Sequence, residues 1–118
     1  MHEVALAVDL IEQIEDIVRE QNQNGETVEV VESIYLELGD MSHVVEDSFE
    51  FAFETVSEGE LFENTRLKFE NVPVKIRCRD CGGEFEIETQ IPVCPGCGSS
   101  ETEILQGKDF ILKSIELR

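Results

Sequence analysis

Cations are nearly missing from the first half of the sequence. Residues 1–65 hold Arg19 alone against eighteen Asp and Glu, a net charge of −17, whereas residues 66–118 set eight Lys and Arg against nine acids. A field of that sign repels phosphate backbones and attracts cations or basic protein surfaces. Most of the carboxylates themselves read as the solvated faces of helices. Histidine is scarce as well, at two residues. With no Ser/His/Asp set, phosphate loop or open zinc triad, the chain is not expected to be an enzyme. It lacks a run of eighteen apolar residues and a basic, apolar leader, so neither a membrane helix nor a secretion signal is expected, and the cytoplasm is. Internal repeats and low-complexity linkers are missing too.

What is present is concentrated between Ile76 and Ser100. All four cysteines lie there as two Cys-x-x-Cys pairs, Cys78 with Cys81 and Cys94 with Cys97, each followed by a glycine, Gly82 and Gly98. Such a turn brings two thiolates to one ion, and the glycine lets the backbone bend so that amides face the sulfurs. Four sulfur ligands suit tetrahedral Zn²⁺ in a closed, structural site. Competing readings are a pair of disulfides, a thiol-redox centre or a rubredoxin-like iron site, since tetrahedral sulfur also suits iron. Confinement of cysteine to these four positions agrees with a reducing compartment.

The rest of the chain reads as an α+β domain. Val4, Ala7, Val8, Ile11, Ile14, Ile17 and Val18 recur at helical steps from His2 to Gln23, with Gly25 placed to end the helix in a left-handed turn. Thr27 to Leu38 alternates as a half-buried strand. Ser42 is a candidate cap for a second helix from Val44 to about Glu58, with Val45, Phe49, Ala52, Phe53 and Val56 inward. Phe49, Phe51, Phe53 and Phe62 are assigned to core packing rather than to a ligand pocket. Thr65 to Ile76 is extended, and Pro73 marks a sheet edge or a strand leaving its sheet. Glu84–Glu88 is a ribbon strand, Glu103–Gly107 leaves the ribbon, and Lys108–Arg118 is a last strand interrupted at Lys113.

The 118 residues hold one small domain plus a module too small to fold without its ion. The expected architecture is two helices packed on a small mixed sheet, with an inserted zinc-ribbon (rubredoxin-like) module. Residues 1–73 and 108–118 would form the α+β domain, and residues 74–107 the ribbon.

The chain opens Met1-His2-Glu3. A histidine at a helix start is commonly an ordinary surface residue. The geometry here also permits a chelate: the Met1 α-amine, the His2 amide and imidazole, and the Glu3 amide make a square of nitrogens suited to Ni²⁺ or Cu²⁺. The first N–H groups of a helix have no intrahelical acceptor to lose, so deprotonating them is affordable there. A dication is disfavoured at the positive end of a helix dipole, but two deprotonated amides cancel its charge and Glu3 adds another. The chelate needs an unblocked terminus that retains Met1.

Met1-His2-Glu3 opening an amphipathic helix, an α+β domain, and two Cys-x-x-Cys knuckles inserted before a last strand together resemble the HypA (HybF) family of hydrogenase nickel-maturation factors. The resemblance covers the whole chain. It implies a nickel metallochaperone that delivers Ni(II) to the large subunit of a nickel–iron hydrogenase with a HypB-type GTPase, and in some members serves urease. It implies nickel binding by Met1, His2 and Glu3, and Zn(II) binding by Cys78, Cys81, Cys94 and Cys97. The expected partners exclude nucleic acid and membrane, and the expected state is a monomer or weak homodimer. Some members carry a histidine near the zinc module; this chain has none between its knuckles, and His43 is read as a surface residue. The alternative is a zinc-ribbon nucleic-acid or transcription adaptor, for which Lys75, Arg77 and Arg79 would form the basic patch.

Overall fold

The structure is a computed structural model that describes residues 2–88 and 91–118, with His2 described in its backbone alone. Its elements, in order, are α1 (His2–Gln23), β1 (Val31–Gly39), α2 (Glu46–Val56), a 3₁₀ turn (Glu60–Phe62), β2 (Arg66–Val72), β3 (Val74–Cys78), β4 (Glu84–Ile87), β5 (Thr102–Gln106) and β6 (Phe110–Leu117). The chain divides into two compact units. One comprises Met1–Leu36, Val44–Phe69 and Leu112–Arg118, and the other Glu37–His43 and Glu70–Ile111.

In the first unit, α1 ends where its sequence says it should. Gly25 has φ +93°, its N–H bonds to the Asn22 carbonyl, and the Glu26 N–H reaches back to Gln21, the Schellman pattern that satisfies the last carbonyls. The buried stripe is Ala7, Leu10, Ile14 and Val18, whereas Val8 is 38% exposed. The expected stripe is thus corrected in part, with Leu10 inward and Val8 turned toward solvent. Ile34 and Leu36 of β1 and Phe49, Ala52 and Phe53 of α2 fill the rest of the core. Phe49 meets Phe69 edge-on at 6.1 Å between ring centroids, and Phe53 meets Phe62 at 5.8 Å. Phe51 breaks the expectation of core packing, for it is 72% exposed.

Strands β2, β1 and β6 form a three-stranded sheet in that order. Thr65 Oγ1 donates to the Val31 carbonyl at the start of β1 and β2, and the Asp40 N–H donates to Val72 at their ends, so the two run parallel with α2 as their crossover. Gly39 N–H to Asp109 and Arg118 N–H to Val30 run in the opposite sense, which makes β6 antiparallel to β1 and the sheet mixed. The first strand starts at Val31 rather than Thr27 because the preceding residues depart from regular pairing. Val28 N–H goes to Asn22 Oδ1, and the Glu29 and Val30 N–H groups share the Arg118 carbonyl. In β6 the alternation slips at Lys113 and Ser114, which are both exposed.

Ser42 does not cap α2. Its hydroxyl donates to the Gly39 carbonyl at 2.7 Å, closing a turn that His43 leaves with φ +63°, and the residue at the cap position is Val45, with no side-chain bond. The helix start is favoured instead by Glu46 and Asp47 in its first turn, acids at the positive end of the helix dipole.

In the second unit β3 is the centre of an antiparallel three-stranded ribbon, order β4-β3-β5. Pro73 stands between β2 and β3, where the chain passes from one sheet to the other. The segment after the second knuckle does not leave the ribbon: as β5 it pairs with β3 from Cys78↔Thr102 to Lys75↔Gln106. Val74, Ile76 and Ile87 make a small core, with Met41, Phe85 and Ile104 packed against it. Gly107 has φ +86°, and a Cβ there would stand 2.5 Å from the Pro73 carbonyl oxygen, so this crossing admits glycine alone.

Candidate metal centre

The two knuckles are built alike. In each, the N–H of the second cysteine points at the sulfur of the first at 3.4 Å, Cys81 to Cys78 and Cys97 to Cys94. In each, the following glycine turns back with positive φ, Gly82 at +77° and Gly98 at +78°, and donates to the carbonyl of the first cysteine. Cys78 is held at the end of β3 and Cys94 by its N–H bond to the Ser99 carbonyl at 2.9 Å. The Phe85 ring lies against both turns. A Cβ on Gly83 or Gly96 would come within 2.8 or 3.2 Å of it, so glycine at both positions lets one aromatic ring support both halves of the site.

The four sulfurs converge within 4.8 Å of one another. A tetrahedron with Zn–S bonds of about 2.3 Å has edges of about 3.8 Å. The Cys78–Cys97 and Cys81–Cys94 sulfur pairs, at 3.5 and 3.7 Å, match that edge and lie beyond disulfide bonding distance, and all four cysteines are free. The disulfide reading is set aside on this geometry. Four thiols so close cannot all ionise without a cation among them. The Cys97 amide facing its sulfur, opposed by burial, brings Cys94 down to about 7. The Ser99 amide favours the Cys97 thiolate, yet the neighbouring Cys78 and Cys94 sulfurs outweigh it and push Cys97 up to about 12. Cys81 is raised in the same way, the Gly83 amide being outweighed by Cys78 and Cys94. A dication relieves that repulsion. The donor set therefore fits Zn²⁺ in a closed site with no ligand position left for a substrate.

Outside the ligand set, the knuckles are joined by contacts that spacing did not disclose. Ser99 Oγ donates to Asp80 Oδ2, the Glu101 N–H donates to Ser99 Oγ at 3.0 Å, and the Arg79 N–H donates to the Glu101 carbonyl at 2.8 Å. The only clue in the sequence is a polar residue inside one knuckle and another just after the other. The basic patch of the adaptor reading is largely neutralised. Arg77 lies between Glu84 and Glu103 of the flanking strands, at 4.0 and 3.9 Å, and Lys75 stands opposite Glu86.

Of the expected nickel ligands, Met1 and the His2 side chain lie outside the described residues. The described backbone of α1 begins at His2, with Glu3 in its first turn. Glu3 and Val4 line a groove of about 680 Å³ with Asp47, Ser48, Phe51, Ala52 and Thr55, so carboxylates from both helices collect beside the start of α1. His43 is exposed in the turn before α2, in keeping with a surface role.

Residues 1–117 match the family model described as "Hydrogenase/urease nickel incorporation, metallochaperone, hypA". The chain is 38% identical to the hydrogenase maturation factor HypA of Moorella thermoacetica over 116 residues, 98% of each chain. It is 42% identical to that of Aquifex aeolicus over 117 residues, 99% of this chain and 97% of the relative. Among solved structures it resembles the nickel metallochaperone HypA from Helicobacter pylori, with a TM-score of 0.67 and 26% identity over 98% of this chain and 96% of that one. A second HypA solution structure matches at a TM-score of 0.70 and 28% identity, over 100% of this chain and 97% of that one.

Proposed function

The chain belongs to the HypA family of nickel-incorporation metallochaperones for hydrogenase and urease, and from that premise we propose the residues and partners through which it works. Its cargo is Ni²⁺. The ion is held at the start of α1 by the Met1 α-amine, the His2 amide and imidazole and the Glu3 amide, a square-planar nitrogen set. The observation that carries this assignment is the helix beginning at His2. The N–H groups that nickel displaces are those for which the helix supplies no acceptor, so metal binding costs no helical hydrogen bond. Carboxylates at the starts of both helices favour approach of the dication. A site at the end of an element is also reachable by the acceptor, which delivery requires.

Cys78, Cys81, Cys94 and Cys97 hold Zn²⁺ as the structural ion of the ribbon. Functionally, residues 1–73 and 108–118 serve nickel, and residues 74–107 serve zinc. The protein catalyses no reaction of its own. It works in the cytoplasm with a HypB-type GTPase and passes nickel to the hydrogenase large subunit, its acidic half presenting a complementary face to basic partners.

Native mass spectrometry of untagged protein titrated with Ni²⁺, beside a His2→Ala sample, tests the reading. The expected result is one zinc retained in both samples and one nickel bound by the native protein alone, with an unchanged melting temperature in the variant. Nickel retained by His2→Ala overturns the ligand assignment, and a large loss of melting temperature makes His2 a structural residue.

A further inference from the structure

The two knuckles come from distant parts of the ribbon, Cys81 and Cys94 being thirteen positions apart. Each knuckle is closed by its own hydrogen bonds, so the quality of the metal site depends on what fixes one against the other. Asp80 sits inside the first knuckle and Ser99 just beyond the second, and neither is a ligand. The Ser99 hydroxyl makes two bonds: its hydrogen goes to Asp80 and its oxygen accepts the Glu101 N–H at 3.0 Å. Its own carbonyl accepts the Cys94 N–H at 2.9 Å, which ties the hydroxyl's position to a ligand residue.

The charge of Asp80 makes the contact informative. Four thiolates around Zn²⁺ leave a net charge of about −2, and the carboxylate of Asp80, adjacent in sequence to Cys81, is repelled by that charge. Among the described residues Asp80 makes no ion pair that would offset this. Its hydrogen bond to Ser99 is the compensating interaction.

We infer that Asp80 and Ser99 are positioning residues for the zinc site, forming a latch across the metal that holds the two dithiol halves at tetrahedral spacing. The inference rests on the zinc assignment proposed above. The latch acts through geometry rather than charge. Outer partners that orient metal ligands commonly contribute about ten- to a hundredfold to metal affinity.

The test measures zinc affinity of the full chain by competition with a chromophoric chelator, and the Co²⁺-substituted absorption spectrum as a report on ligand geometry. Asp80→Ala and Ser99→Ala are each expected to weaken zinc binding about tenfold or more and to shift the Co²⁺ bands. The double variant is expected to be no weaker than the poorer single one, because both break the same bond. Asp80→Asn keeps an acceptor for the Ser99 hydroxyl and removes the repulsion, so it is expected to match the native affinity or exceed it. Alanine variants within twofold of the native protein, or losses that multiply in the double variant, overturn the latch. Failure of the native chain itself to hold zinc overturns the ligand assignment instead, so the two failures are distinguishable.

Discussion

The helical unit buries Ala7, Leu10, Ile14, Val18, Val31, Ile34, Leu36, Phe49, Ala52, Phe53 and Phe62, while the strands of the ribbon bury Val74, Ile76 and Ile87 beside Cys78 and Cys94. Each large apolar side chain in such a list stabilises by about 1.5–3 kcal/mol, so the first unit has a core of ordinary strength and the second does not. The ribbon makes up the difference with an ion, and structural zinc sites in small modules supply about 10–16 kcal/mol. The contrast extends to charge. Residues 1–65 carry −17, much of it on exposed helix faces, whereas residues 74–107 set three Lys and Arg against six acids, with Arg77 placed between Glu84 and Glu103. One half is built to be held by packing and the other to be held by metal, and the denser charge lies on the first.

The contrast breaks most visibly by removing a sulfur. Cys78→Ala or Cys94→Ala is expected to abolish zinc content and disperse the ribbon's structure while the helices persist. Elemental analysis and amide hydrogen exchange check this, and melting of α1 and α2 along with the ribbon would show the two units to be one cooperative body. Next in size is Phe49→Ala, which empties the helical core and is expected to cost about 3–5 kcal/mol in urea unfolding followed by helical circular dichroism. Zinc content should stay unchanged, and lost zinc would contradict separate means of stabilisation. Gly107→Ala places a Cβ against the Pro73 carbonyl at positive φ and is expected to cost about 1–3 kcal/mol, read as a lower melting temperature of the zinc-loaded protein. The smallest effect sharpens the aromatic assignment. Phe51→Ser, at a position 72% exposed, is expected to change stability by no more than about 0.5 kcal/mol, against the large loss at Phe49 two residues away.

Features written in local chemistry were readable from the sequence, and those set by distant partners were not. The first helix runs from His2 to Gln23 as its periodicity predicts, and Gly25 closes it, because both signals lie within a few residues. The cysteine site was legible for the same reason: each knuckle is complete in five residues. Which face of α1 turns inward depends on what packs there, so Leu10 lies inward and Val8 toward solvent. Ser42 has the chemistry of a cap, but its hydroxyl found the Gly39 carbonyl of its own turn first. The ribbon strand β5 was missed because its pairing residues on β3 lie more than twenty positions earlier. The Asp80–Ser99 contact was missed on similar grounds, since it exists only once both knuckles are in place.

The pairing of β6 with β1 also sets an order of manufacture. Translation delivers α1, β1, α2 and β2 first, then the whole ribbon, and only then the strand that completes the sheet begun by β1. Domains tend to fold as units as they leave the ribosome. The four sulfurs therefore precede, in order of synthesis, the strand that gives the sheet of the helical unit its third member, so zinc binding can come before closure of that sheet. A cell short of zinc would on this account accumulate chains whose last strand arrives behind an unclosed ribbon, and shortage of one metal would limit the handling of another.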